Sequence, residues 1–104
     1  HIVNISSVGG ITRTVKFPGL STYSSSKGAL SILSECLAEE FKEDNIKVNC
    51  LALGAVNTKM LKNAFPDYTA QVNPQQIAEY INTFSLYSAE VLNGQTQIIS
   101  LTTP

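Results

Sequence analysis

Tyr23 and Lys27 stand four residues apart at the head of a strongly helix-forming segment, and Ser7 lies sixteen positions upstream, at the end of an apolar run. Side chains at i and i+4 share one helix face, so the phenol and the ammonium can serve a common partner. A phenol beside a fixed cation can give or take a proton nearer neutral pH than its free pKa of about 10 allows. Ser7 supplies a second hydroxyl. These three groups are the minimum set for moving a proton on and off a carbonyl or alcohol oxygen.

A Tyr-x-x-x-Lys pair alone is weak, because it arises by chance on exposed helix starts, so the elements that would position it decide its meaning. Ile2 to Ile5 has the β-branched, apolar character of a buried strand. Residues 6–20 contain Gly9-Gly10 and Pro18-Gly19 and read as a loop, with Arg13 and Lys16 as solvated charges. Residues 22–43 form the clearest helix, capped by Ser21 or Thr22. Its apolar stripe is Ala29, Leu30, Leu33, Cys36, Leu37 and Phe41. Residues 46–53 are apolar on both faces, which suits an interior parallel strand ended by Gly54. Residues 58–72 are mixed, with one helical turn near 59–63. Asn73-Pro74-Gln75-Gln76 opens a second helix carrying Ile77, Ala78, Ile81 and Phe84. Asn93-Gly94 is a turn, and 95–101 is a last strand.

Strands alternating with helices predict an α/β fold of parallel βαβ units with right-handed crossovers. Three strands leave both sheet edges and much helix surface uncovered, so the expected architecture is half of a doubly wound domain. No repeat or linker divides the chain. In such a sheet, ligands bind at the carboxyl ends of the strands. Ser7 follows the first strand, Gly54 to Thr58 follows the second, and Tyr23 and Lys27 lie in the first turns of the helix between them. Topology gathers all of them on one sheet edge.

Composition narrows the partners. Only 14 % of residues are charged, against about 25 % in ordinary soluble domains. Part of the surface is therefore expected to be covered, by oligomerisation or by a larger body. A net charge of −1 gives no basis for binding nucleic acid or an anionic membrane. No apolar run approaches the roughly 18 residues of a membrane span. The start at His1 shows neither a signal peptide nor an initiator Met, which suggests that upstream sequence is missing. Cys36 and Cys50 lack C-x-x-C spacing and are expected to be reduced, buried thiols of a cytoplasmic protein. One His and two unclustered Cys give no metal site.

Four ordered segments resemble the short-chain dehydrogenase/reductase family, in its 3-oxoacyl reductase-like branch. Ile2-Val3-Asn4-Ile5-Ser6-Ser7 is similar to the family's serine-bearing strand. Tyr23-Ser24-Ser25-Ser26-Lys27-Gly28-Ala29 resembles its active-site helix. Residues 48–58, Val48 to Thr58, resemble its V-N-x-x-x-P-G-x-I-x-T segment, and Asn93-Gly94-Gln95-Thr96 resembles the turn into its last strand. The resemblance spans nearly the whole chain.

It implies the C-terminal half of a Rossmann-like domain over residues 1–104. It also implies an NAD- or NADP-dependent oxidoreductase acting on a small-molecule carbonyl or secondary alcohol. Tyr23 would be the general acid or base. Lys27 would lower its pKa and bind the nicotinamide ribose, and Ser7 would hold the substrate oxygen, with Ser6 as its rival. Gly54, Ala55, Val56 and Thr58 would line the nicotinamide, the Val56 main chain and Thr58 holding its carboxamide. Residues 59–72 would be a substrate lid whose Met60, Leu61, Phe65 and Tyr68 form an apolar pocket. A homodimer or homotetramer is implied, with Ser31, Ser34, Ala38 and Phe41 as a second helix face toward the partner.

The chain departs from the family pattern in several places. The glycine-rich cofactor loop, the residue that selects NAD or NADP and the active-site Asn of the preceding helix are absent from residues 1–104. Leu53 replaces the family's Pro, and the chain closes without Asp-Gly-Gly. The spacing from Ser7 to Tyr23 is longer than in many members and predicts a longer loop over the site. The alternative function is a non-catalytic fragment or assembly module unable to bind dinucleotide on its own. The related epimerase and dehydratase branch shares the Tyr/Lys pair, but the segment 48–58 argues against it.

Overall fold

The computed structural model describes residues 1–104. Strands β1 (Ile2–Ser7), β2 (Val48–Leu53) and β3 (Thr96–Ile99) form one parallel sheet in the order β1-β2-β3. Helix α1 (Ser21–Glu40) connects β1 to β2, while α2 (Lys59–Ala64) and α3 (Pro74–Tyr87) connect β2 to β3. The register pairs Ser7 with Leu53 and Leu53 with Ile99, so the three carboxyl ends finish level. The alternating α/β order is the one expected. No helix is long and apolar enough to cross a membrane.

β2 is the interior strand, and Val48, Asn49, Cys50, Leu51 and Ala52 are all buried. Its pleat sends Cys50 toward α1, with Sγ 3.8 Å from Ser31 Oγ, and Asn49 to the other face. A buried amide must find partners for its donors and acceptor, and Asn49 does. Its Oδ1 accepts from the Gln95 N–H at 3.0 Å. Its Nδ2 donates to the Leu92 carbonyl at 3.0 Å and lies 3.0 Å from His1 Nε2. Asn93 completes the join, with Oδ1 accepting from the Val48 N–H at 3.0 Å and Nδ2 donating to the Ala38 carbonyl at 3.3 Å. The two asparagines thus seat β3 against β2 and tie the end of α1 to both. α3 carries the expected capping box, Asn73 and Gln76 bonding reciprocally at 2.9 Å.

The packing of α1 reverses the expected one. Its sheet-facing side is Ser31, Ser34 and Ala38, and Ser34 is only 1 % exposed. Asn4 Nδ2 donates to Ser34 Oγ at 2.9 Å, while Ser34 Oγ returns its proton to the Leu30 carbonyl at 2.8 Å. These small residues cannot form the partner-facing surface read from the sequence, because they are already under the sheet. Half of the expected apolar stripe is outside: Ala29 and Cys36 are exposed, Leu33 is 48 % exposed and the adjacent Ile32 59 %, while Leu30, Leu37 and Phe41 are half-buried. Cys50 is buried as expected, but Cys36 is not. Small hydroxyl side chains let the helix backbone approach the strands closely, so proximity and not hydrophobicity selected the inner face. The helix also begins one residue earlier than expected and ends three residues sooner, at Glu40. Leu20 occupies its cap site without a side-chain bond, and neither Ser21 nor Thr22 caps it.

Candidate active site

The edge where the strands end level is built around one tight contact. After β1 a short turn, Val8–Gly10, runs directly against α1. A Cβ on Gly10 would lie 2.5 Å from Gly28 N and 2.6 Å from the Lys27 carbonyl carbon. Neither backbone atom can move aside, so only glycine allows this approach. Two hydrogen bonds cross the same seam. Ser6 Oγ donates to the Lys27 carbonyl at 2.8 Å, and Lys27 Nζ donates to the Ile5 carbonyl at 3.0 Å. The strand end and the first turns of α1 are therefore locked together at Lys27.

This lock gathers the expected residues. Ser6 is buried and committed to α1, whereas Ser7 is half-buried with its Oγ accepting from the Gly9 N–H at 3.1 Å. That bond uses a lone pair of Ser7 and leaves its proton to donate. Gly9 sits among Ser7, Tyr23 and Ser24. A Cβ there would be 3.2 Å from Ser24 Oγ, 3.5 Å from Ser7 Oγ and 4.0 Å from the Tyr23 ring edge. Lys27 Nζ lies 5.9 Å from the centroid of the Tyr23 ring. Only one of the ammonium's three donors is engaged.

Past β2 the chain makes a chain of main-chain bonds with one gap. The N–H groups of Gly54, Ala55, Asn57 and Thr58 donate to the carbonyls of Ile99, Thr102, Val72 and Val56 at 2.7–3.0 Å. The Val56 N–H has no such partner. Asn57 Oδ1 beside it is buried and also unpartnered. Gly54 is needed because any Cβ there would run into Ser100. Thr58 Oγ1 caps α2 by accepting the Leu61 N–H at 3.2 Å, so the expected turn near 59–63 is a true helix with its cap on an expected site residue. Along this segment a small apolar cleft of about 220 Å³ is lined by Ala55, Val56, Val72, Ile77, Ile99 and Leu101.

The lid residues do not form one pocket. Met60 is two-thirds exposed. Tyr68 donates its hydroxyl to Thr102 Oγ1 at 2.6 Å. Phe65 packs edge-on against Phe17 from the β1–α1 loop, centroids 4.8 Å apart. Lys16, read as a solvated charge, turns back into that loop onto the Ile11 and Thr14 carbonyls and Thr14 Oγ1 at 2.7–3.0 Å. Phe17 and Ser24 were missed from the sequence. The run Ser24-Ser25-Ser26 is the only hint of a further hydroxyl at the site, and Phe17 in a loop carries none.

The family model described as short chain dehydrogenase matches residues 1–69. The chain belongs to the short-chain dehydrogenase/reductase family. It is 31 % identical over 115 residues to dehydrogenase/reductase SDR family member 4 of Mus musculus, covering 99 % of this chain and 40 % of that protein. It is 37 % identical over 62 residues to a 3-oxoacyl-[acyl-carrier-protein] reductase of Chlamydia trachomatis, covering 60 % of this chain and 24 % of the relative. Among solved structures it is similar to a 4-hydroxyisoleucine dehydrogenase mutant complexed with NADH and succinate. The TM-score is 0.77 and the identity 27 %, over 95 % of this chain and 44 % of that one. An acetoin dehydrogenase from Salmonella typhimurium gives a TM-score of 0.73 at 30 % identity, over 95 % and 40 %. These neighbours have the Rossmann-like fold, of which this three-stranded α/β unit is a part. The chain spans about 40 % of the length of such curated relatives.

Proposed function

We propose that the protein carrying residues 1–104 is an NAD- or NADP-dependent oxidoreductase that interconverts a small-molecule carbonyl and a secondary alcohol. The observation that carries this reading is the seam at Lys27, which holds Ser7, Tyr23 and an ammonium with two free donors on the carboxyl edge of the sheet. In the reducing direction Ser7 donates a hydrogen bond to the carbonyl oxygen, and Tyr23 passes its phenolic proton to that oxygen. The Lys27 charge, 5.9 Å from the ring, stabilises the negative charge left on the phenol. In the oxidising direction Tyr23 takes the proton back.

The unpaired Val56 N–H, the Thr58 hydroxyl and the crowded Gly54 turn fit a planar carboxamide-bearing ring. They would hold the nicotinamide, with Ala55 lining it and Lys27 on the ribose. Bound there, a nicotinamide supplies or accepts the hydride, while the protein supplies position and proton.

Residues 1–104 are, on this reading, the C-terminal part of one Rossmann-like domain. The only Gly-Gly pair, Gly9-Gly10, is packed against α1 and cradles no pyrophosphate. The second reading, a fragment or assembly module without dinucleotide affinity, therefore applies to the isolated 104-residue chain. The protein is further proposed to be a homodimer or homotetramer, with the bare stripe Ala29, Ile32, Leu33 and Cys36 of α1 as contact surface. The test is nicotinamide oxidation by the intact protein against a panel of carbonyls, with NADH and NADPH in turn. Turnover with any carbonyl is expected, and silence across the panel with both nucleotides would contradict the assignment.

A further inference from the structure

Two segments overhang the carboxyl edge of the sheet, one from β1 and one from β2, and a single aromatic contact joins them. Ring centroids of Phe17 and Phe65 are 4.8 Å apart at an interplanar angle of 66°, the edge-to-face arrangement that aromatic pairs favour. Their immediate neighbours Lys16, Pro18, Ala64 and Pro66 are all exposed, yet both phenylalanines are half-buried.

Each ring is carried on an anchored base. On the β1 side, Thr14 Oγ1 donates to the Val8 carbonyl at 2.6 Å and receives Lys16 Nζ at 2.7 Å. Lys16 also bonds the Ile11 and Thr14 carbonyls, and the Leu20 N–H closes the turn onto the Phe17 carbonyl at 3.2 Å. On the β2 side, the Phe65 N–H ends α2 on the Leu61 carbonyl at 2.8 Å, and Tyr68 ties the following turn to Thr102.

Phe17 also lines a cleft of about 500 Å³ between its loop and α1, together with Gly9 and Ser24. The Gly9 N–H bonds Ser7 Oγ at 3.1 Å, and a Cβ on Gly9 would lie 4.0 Å from the Tyr23 ring edge.

We propose that Phe17 and Phe65 form a clasp over the substrate side of the site and select compact carbonyls by size. The proposal rests on the oxidoreductase reading above. A ketone with small substituents reaches Ser7 and Tyr23 beneath the closed pair. One bearing an aromatic ring must part it, losing the edge-to-face contact.

The test uses the intact protein and two vicinal diketones, diacetyl and the analogue in which one methyl is replaced by phenyl. The wild type is expected to prefer diacetyl. Phe17→Ala and Phe65→Ala should each shift the ratio of kcat/KM values toward the phenyl compound by about tenfold or more, the scale of discrimination available to an apolar pocket. The double variant should shift it no further than the stronger single, because both remove one contact. Phe17→Leu and Phe65→Leu keep the apolar volume and guard against loss of folding; they should shift the ratio in the same direction but less. A parallel fall on both diketones with an unchanged ratio would reduce the pair to a structural contact and overturn the clasp. Equal wild-type turnover of the two diketones would overturn it as well. So would wild-type activity confined to bulkier carbonyls. Wild-type silence toward every carbonyl tested with both nucleotides overturns the oxidoreductase reading, and the clasp with it.

Discussion

Lys27 performs two tasks with two ends of one residue. Its carbonyl receives the Ser6 hydroxyl and its ammonium bonds the Ile5 carbonyl, so the group that ties α1 to β1 also brings a positive charge to Tyr23. The sequence favoured Ser7 over Ser6 for the substrate oxygen through the family resemblance alone, since successive strand residues point to opposite faces and nothing local says which face is covered. The packing separates them, with Ser6 inside and Ser7 beside Gly9 and the Tyr23 ring. If Ser7 holds the substrate oxygen, Ser7→Ala in the intact protein should lower kcat on the order of 10²-fold, as removal of one donor to a developing oxyanion does elsewhere. Its thermal unfolding should be unchanged, because the only bond lost is the local one from Gly9. Steady-state kinetics beside a melting curve checks both halves. The gathering of this trio on one sheet edge was legible because Ser7 ends a strand and Tyr23 and Lys27 open the helix that follows it. Phe17 was not legible, because a loop has no periodicity from which a direction can be read.

At the scale of elements, the strand–helix alternation and the burial of β2 were readable from apolar runs and turn residues. The orientation of α1 was not. Counting apolar side chains chose Ala29, Leu33 and Cys36 as core, yet the helix lies on Ser31, Ser34 and Ala38. Close approach matters more here than apolar area, and the reason is visible one turn away, where Gly10 and Gly28 let backbone meet backbone. That contact sets the distance from Ser7 to Tyr23. Gly10→Ala should therefore destabilise the intact protein by about 1–3 kcal/mol, the usual cost of overpacking. It should also lower kcat even below its melting temperature, since the added methyl wedges α1 from β1. Denaturant unfolding together with kcat at low temperature tests this. A Gly9→Ala change, whose Cβ would be 3.2 Å from a movable Ser24 hydroxyl, should cost less stability.

At the scale of the whole molecule, the low charge content finds its structural counterpart in bare apolar surface. Only 12 of 104 residues are buried, and the outer face of α1 presents Ile32 and Leu33 to solvent. Stripes of this kind mark surfaces that another body covers. If a second copy covers this one, Leu33→Glu in the intact protein should convert a dimer or tetramer to a smaller species in light scattering. An unchanged mass would move the interface elsewhere. The charge count led to the expectation of a covered surface but could not place it, because that depended on the face α1 turns to the sheet. The central claim remains the proton-transfer role of Tyr23, and one comparison tests it most directly. Wild type and Tyr23→Phe of the intact protein are each titrated with NADH and NADPH by calorimetry, then assayed for nucleotide oxidation with a carbonyl that the wild type reduces. The account predicts retained nucleotide binding and turnover reduced by about 10²–10⁴-fold in the variant. Near-normal turnover by Tyr23→Phe would contradict it.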